Sequence, residues 1–276
     1  MARWSDHSYR RIEAVREAFT RDVSRHIPRS CTHVRGHGGV KGAIRTLRHA
    51  LPRATFVARF DIAAYYDSIR HDVLLNQWRD VATTPEARTV VRDYLQHPDT
   101  RRTGCGLVAG GGLSPLLGGL YLAPLDGVME RLQQRGKLVV YVRFMDDVVL
   151  LSRTRWHLKQ AIAALHAALR PLHLTLHRTK RFIGRTATGF DFLGYRLRAG
   201  RKLRPSVQCL QRLRTRARRL YEQGADLARL RQYVARWWRW LHGGLWTHVA
   251  WQGGVRRISR HVLAHLHLTR PKGHTG

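Results

Sequence analysis

The chain has 276 residues, 43% of them hydrophobic, which is enough for one sizeable core or a few small ones and too many for a disordered chain. Lysine and arginine outnumber the acids 50 to 18, for a formal net charge of +32 spread along the whole length. A compact chain this basic repels itself unless a polyanion neutralises it, so nucleic acid is the expected partner, ahead of an anionic membrane surface.

No stretch approaches the roughly 18 uncharged apolar residues of a membrane span, and Met1-Ala2-Arg3 opens no secretory signal. Cys31, Cys105 and Cys209 stand far apart without a CxxC pair. They support neither a zinc site nor a disulfide framework, and a reducing, cytoplasmic setting is expected.

In chain order, residues 8–25 place Ile12, Val15 and Phe19 on a thin apolar stripe of a basic helix. Residues 32–43 form a loop in which glycines stand beside Arg35, His37 and Lys41, exposing backbone donors suited to phosphate, although such loops also serve as plain connectors. The spacing then predicts a helix over 40–51, with Ile44 and Leu47 inward. Residues 55–62 read as a strand ending in an acid, Asp61, and residues 63–69 then turn into a helix that runs on through Leu74 and Trp78. An acid closing an apolar strand suits a metal ligand, and it also suits a helix N-cap. Thr84-Pro85-Glu86 has cap and proline in the order that starts a helix. A second glycine-rich loop, 104–112, leads to Ser114 as cap and Pro115 as first residue of a helix reaching about residue 134.

Asp146 and Asp147 lie between two β-prone runs: Tyr141, Val142 and Phe144 before, Val148 to Leu151 after. The pattern predicts a β-hairpin presenting two acids at its tip. Adjacent carboxylates repel by roughly 4 kcal/mol at about 4 Å and an effective dielectric near 20, a cost that solvent or a divalent cation relieves. Beyond the hairpin, a helix is expected over 156–169 and a strand over 172–176 leading to Lys180. Residues 190–197 read as a strand broken near its middle by Gly194. From residue 201 the composition turns more basic, with Ser206 and Asp226 capping two helices. Trp237, Trp238, Trp240, Trp246 and Trp251 cluster there, to pack a small helical core or to stack on bases.

A strand-end acid together with an acidic pair supplies a two-metal phosphoryl-transfer site, since Mg²⁺ takes oxygen ligands and needs few carboxylates besides substrate phosphates. At this point the sequence resembles a reverse transcriptase, most closely the bacterial enzymes of group II introns, retrons and diversity-generating retroelements. Phe144-Met145-Asp146-Asp147 resembles the family's aromatic-x-Asp-Asp motif, and residues 60–69 resemble its first catalytic motif. Residues 110–122 resemble its template- and nucleotide-binding motif, and Phe192-Leu193-Gly194-Tyr195 its primer grip.

The resemblance implies an α+β fold: a right-hand polymerase palm, an antiparallel sheet backed by helices, with reduced fingers and an all-helical thumb. The expected divisions are 1–54, 55–200 and 201–276. It implies two Mg²⁺ ions, with Mn²⁺ as substitute, held by Asp61, Asp146 and Asp147, with Ile62 beside metal and nucleotide. Tyr66 would bar a ribose 2′-hydroxyl, and Lys180 would meet the leaving pyrophosphate. Arg35, Lys41, Gly110, Gly111 and Ser114 would contact template or triphosphate. Ala109 stands where the family often has Gln, so a contact is lost or remade there. Few residues precede the first glycine loop, so a partner protein or a structured non-coding RNA is expected to complete the site.

The implied activity is RNA-directed DNA synthesis from an RNA template, a DNA or RNA primer and dNTPs, with no membrane. Intron mobility, retron synthesis, diversification and antiviral defence share such a core. The competing readings are a maturase-like RNA-binding partner and an RNA-templated RNA polymerase.

Overall fold

The computed structural model describes residues 10–266 apart from 11, 14, 15, 17–19, 21, 22, 83, 97–103, 109 and 251–253. The expectations for Val15, Phe19, Ala109 and Trp251 lie outside the described residues. The chain divides into two compact units, Met1–Thr186 and Ala187–Gly276.

The first unit is built on a four-stranded antiparallel sheet. Its strands are β1 (Phe56–Asp61), β2 (Val140–Phe144), β3 (Asp147–Ser152) and β4 (Phe182–Arg185), in the order β2-β3-β1-β4. Alternation along a strand splits side chains between two faces. Ala58, Phe60, Tyr141, Val148 and Leu150 join the large apolar cluster with Leu158, Ala161 and Leu165 of a backing helix. Val57, Val142, Val149 and Leu151 point to the opposite face and are also buried. β3 therefore reads as an almost unbroken apolar run, as a strand covered on both faces must.

Helices α1 (Gly39–Ala50), α2 (Tyr65–Ser68), α3 (His71–Val81), α4 (Pro85–Leu95), α5 (Ser114–Tyr121), α6 (Ala123–Gln134) and α7 (Arg155–Leu169) complete the unit. α1 packs along β2, α6 and α7 pack on each other, and α7 covers β1 and β3. Two caps follow the expected chemistry. Thr84 Oγ1 accepts from the Ala87 N–H at the start of α4, and Thr154 Oγ1 accepts from the His157 N–H at the start of α7.

Three first-unit expectations are corrected. The single helix through Leu74 and Trp78 is broken at Ile69–Arg70, where residues 66–71 pair with the glycine loop: Leu107 N–H donates to Tyr66 O, Gly106 N–H to Ile69 O and His71 N–H to Gly104 O. The long helix from residue 114 divides at Leu122 because Pro124 has no N–H to donate back to Leu120. The strand over 172–176 reduces to one bridge, Leu176 with Ile62, after a 3₁₀ turn at Arg170–Leu172 and a positive φ at His173.

The second unit opens with an antiparallel sheet of β5 (Phe190–Phe192), β6 (Tyr195–Leu197) and β7 (Arg204–Pro205). Helices α8 (Val207–Glu222), α9 (Leu227–His242) and α10 (Gly254–His265) follow. Leu213, Ala217, Leu230, Val234 and Val262 form their core. Ser206 and Asp226 cap α8 and α9, accepting from Cys209 N–H at 3.1 Å and Arg229 N–H at 2.7 Å.

The second compact unit opens at Ala187, ahead of the expected division at residue 200, and takes in the strands of residues 190–197. Residues 190–197 are a hairpin, not one strand, with Leu193 and Gly194 at φ 47° and 85° as a tight two-residue turn demands. That hairpin packs on its own unit. The Tyr195 hydroxyl donates to Leu241 O at 2.8 Å, and a Cβ on Gly194 would lie 3.1 Å from Trp240. Trp238 is buried, as packing of a helical core demands, while Trp240 and Trp246 are exposed, their rings 5.7 Å from Tyr195 and 5.0 Å from His242.

Candidate active site

Asp61 closes β1 directly opposite Asp147, the first residue of β3, so the two side chains share one face of the sheet. That face also carries Arg59 and is the one turned away from Phe60 and Val148 of the large cluster. Asp146 sits in the two-residue turn between β2 and β3, beside Met145, whose φ is 56°. Asp147 is thus on the strand, one residue past the tip where the sequence placed it. The chain beyond β1 is pinned on both sides. Ile62 N–H donates to Asp146 O at 3.1 Å, Ala63 N–H to Thr175 O at 2.8 Å, and His177 N–H to Asp61 O at 2.7 Å. His177 Nδ1 accepts from the Lys180 N–H at 3.3 Å, and this turn brings Lys180 Nζ to 3.4 Å from Asp61 Oδ1.

Electrostatics reflect this crowding. Burial, and then the neighbouring Asp146, pushes the Asp147 pKa up to about 6, and Asp61 adds to the rise. The Asp146 carboxyl is raised as well, by burial first and with Asp61 contributing. Three oxygen-donor side chains share one half-buried place, and the donor set suits a hard divalent cation. Among the described residues no three His, Cys, Asp or Glu side chains form a ready-made metal cage. Mg²⁺ does not require one, because it keeps waters and takes substrate phosphates alongside one or two carboxylates.

Tyr66 stands on α2 close to these acids. Burial and then the charge of Asp146 raise its hydroxyl pKa to about 12. Its ring stacks on Tyr65 at 5.4 Å and rests on α5, where a Cβ on Gly118 would come within 3.1 Å of Tyr66 Cε1. Gly111 is a steric necessity, since a Cβ there would overlap the Tyr94 hydroxyl. Gly110 faces open space with φ 77°.

Ser114 differs from its expected place. It is the first residue of α5 and not a side-chain cap. It is 1% exposed, its Oγ donating to Val108 O at 2.6 Å and pairing with the Tyr94 hydroxyl at 2.7 Å. Its hydroxyl therefore braces the glycine loop from inside. Arg35 lies on the preceding loop, lining a cavity of about 310 Å³ with Arg16, His33 and Pro115. Lys41 lies in the first turn of α1. Phe192, Leu193, Gly194 and Tyr195 belong to the second unit.

Arg143 and Asp126, which the sequence reading did not single out, support the acidic turn. Both are completely buried. Arg143 Nε and Nη2 grip the two Asp126 oxygens at 2.7 and 2.5 Å, and the Tyr141 hydroxyl donates to the same carboxylate at 2.6 Å. The guanidinium also donates to Gly119 O at 3.1 Å and to Met145 O at 3.0 Å, and so reaches the turn itself. Burial opposes the Arg143 charge, but Asp126 outweighs it and holds the Arg143 pKa above the ordinary value. The available signal was a charge inside each of two apolar runs, Tyr141-Val-Arg-Phe and Pro124-Leu-Asp-Gly.

The model of the reverse transcriptase (RNA-dependent DNA polymerase) family matches residues 5–197. No curated protein matches the sequence. Among solved structures, apo telomerase from Candida tropicalis is similar with a TM-score of 0.60 and 11% identity, over 92% of this chain and 54% of that one. Telomerase from Candida albicans in complex with a TWJ fragment of telomeric RNA is similar with a TM-score of 0.52 and 12% identity, over 94% of this chain and 50% of that one. The chain spans about half the length of these structures, and at such identity the likeness is one of fold, with an antiparallel palm-like sheet and helices. On the family match, which covers most of its length, the chain belongs to the reverse transcriptase (RNA-dependent DNA polymerase) family.

Proposed function

We propose that this chain is an RNA-directed DNA polymerase of the compact bacterial type, extending a primer 3′-hydroxyl with dNTPs on an RNA template. The observation that carries the reading is the register of Asp61 against Asp147, with Asp146 tied to Ile62 through the backbone. Asp61, Asp146 and Asp147 would hold two Mg²⁺ ions, which when bound stabilise the attacking and leaving oxygens of an in-line displacement. Tyr66 bars a 2′-hydroxyl from the nucleotide pocket, its ring held against Gly118. Lys180 exchanges its contact with Asp61 for the leaving pyrophosphate and donates a proton from Nζ. Arg35, Lys41 and the Gly110-Gly111 loop meet template or triphosphate through donors and open backbone. Residues 1–54 serve as reduced fingers, the hairpin of Phe192 to Tyr195 as primer grip, and the helices of the second unit as thumb.

The test is primer extension on an RNA template with Mg²⁺ and dNTPs, with the cognate structured RNA added. Asp146→Asn is expected to abolish extension while RNA affinity stays within about twofold, since a carboxylate does not itself contact phosphate. Extension surviving in that variant refutes the site. RNA binding without extension in the wild type leaves the maturase-like reading in its place.

A further inference from the structure

The turn that carries Asp146 is held from outside the hairpin as well as from within it. Met145 N–H donates to His33 Nδ1 at 3.0 Å, and His33 Nε2 lies 2.9 Å from the carbonyl of Pro115, the second residue of α5. The two partners demand opposite roles, because an N–H needs an acceptor and a carbonyl needs a donor. Only the neutral ring with its proton on Nε2 serves both. Burial, then the neighbouring Arg143 guanidinium, pushes the His33 pKa down to about 4, so the ring is neutral at pH 7. Its other neighbours are Cys31 Sγ, 3.4 Å from Nδ1, and the Phe144 ring, edge-on at 5.9 Å. Gly119 makes the room: a Cβ there would lie 3.6 Å from His33 Nε2 and 3.0 Å from Ile27 Cδ1.

The segment bearing His33 is itself docked. Arg143 N–H donates to Ser30 O and Thr32 N–H to Arg143 O, each at 2.8 Å, along the outer edge of β2. His33 is therefore a fixed post and not a loop side chain. Met145 holds a positive φ, which a non-glycine residue keeps only where its surroundings over-determine it. Here Arg143 takes the Met145 carbonyl and His33 takes its N–H.

We infer that His33 is a positioning residue for nucleotidyl transfer, tying the Asp146 turn to α5, the helix against which the Tyr66 ring rests. The distance between the metal-binding carboxylate and the sugar gate is then set by the imidazole together with the Arg143 guanidinium, which meets Met145 O and Gly119 O. The inference rests on the polymerase reading above.

Two variants separate the bonds. Asn at 33 places an amide oxygen near Nδ1 and keeps an acceptor for Met145. Gln places an amide nitrogen near Nε2 and keeps a donor for Pro115. Each retains one of the two hydrogen bonds, so a purely structural role predicts similar losses from both.

With purified full-length protein, His33→Gln is expected to lower kcat of primer extension about tenfold with KM for dNTP within about twofold, the signature of a misplaced reacting group. His33→Asn is expected to hold kcat within about threefold, because the bond to the turn survives. Mn²⁺ binding, read by electron paramagnetic resonance without nucleic acid, should weaken several-fold in His33→Gln relative to His33→Asn, with Asp146→Asn as the reference for loss. Equal behaviour of the two His33 variants in both measurements overturns the inference. If the wild type binds Mn²⁺ but does not extend a primer, the polymerase reading fails and the Mn²⁺ comparison alone decides the role of His33. A wild type that does neither overturns both.

Discussion

At the scale of single residues, the acids of the site work against the fold that carries them. The Asp147 pKa is raised from the ordinary carboxylate value to about 6, chiefly by burial and then by Asp146. A raised carboxylate means that the folded state binds the proton more tightly than the unfolded state, so this group costs stability as pH rises from about 4 to about 6 and beyond. Asp147→Asn is therefore expected to melt higher than the wild type at pH 8 without metal, with the gap closing as pH falls below about 6. Thermal unfolding of both proteins across that range reads it directly, and a gap that stays constant with pH would rule out Asp147 as its source. Tyr66 makes a second prediction at this scale. Its ring is wedged between Tyr65 and Gly118, so Tyr66→Ala opens space without disturbing the backbone acids. Ribonucleotide incorporation should rise at least about tenfold relative to deoxynucleotide, the discrimination that a lost steric contact of a few kcal/mol allows. Unchanged sugar selection would remove the gate role.

At the scale of elements, the β2–β3 hairpin depends on the Arg143–Asp126 pair beneath it. Removing one partner strands a buried charge, so Arg143→Met or Asp126→Asn should destabilise by about 3–5 kcal/mol, while replacing both with apolar residues recovers part of the loss. Urea unfolding of the two single variants and the double variant measures the coupling, and simple additivity would contradict the pair's role. The hairpin was readable from sequence because its two strands are adjacent and its apolar runs frame the turn. Helix starts at Thr84, Ser206 and Asp226 follow the same logic, since each cap bonds an N–H three residues away. The break at Leu122 was also local and was signalled by Pro124. The break at Ile69–Arg70 was not, because the glycine loop that captures that backbone lies more than thirty residues on, Ile69 O meeting Gly106 N–H. The false strand at 172–176 shows the converse: alternation describes a surface, and pairing needs a neighbour, which here the chain just past β1 supplies at a single bridge of Leu176 with Ile62.

At the scale of the whole molecule, charge is the dominant property. Fifty basic residues against 18 acids leave a net +32, and among the described residues no helix is long and apolar enough to cross a membrane. Under the proposed function that charge meets the phosphates of a template and primer. RNA affinity should fall roughly 10³-fold or more between about 50 and about 200 mM salt if six or more phosphates are neutralised. Filter binding at several salt concentrations gives the slope, and a flat response would mean that the charge does not track a nucleic-acid backbone.

Composition, apolar periodicity and short motifs were enough to place an α+β chain with an acidic hairpin, to locate the caps at Thr84, Ser206 and Asp226 and to show its large excess of basic charge. Each of these is written in residues that touch along the chain or act through their sum. Folding in three dimensions was needed to set Asp61 against Asp147, to join Arg143 to Asp126 and His33 to Met145, and to assign residues 190–197 to the second unit. Those are hydrogen bonds and contacts between segments far apart in sequence. A side chain's identity says what it can bond, and its partner is determined by which distant backbone the packed core brings within about 3 Å.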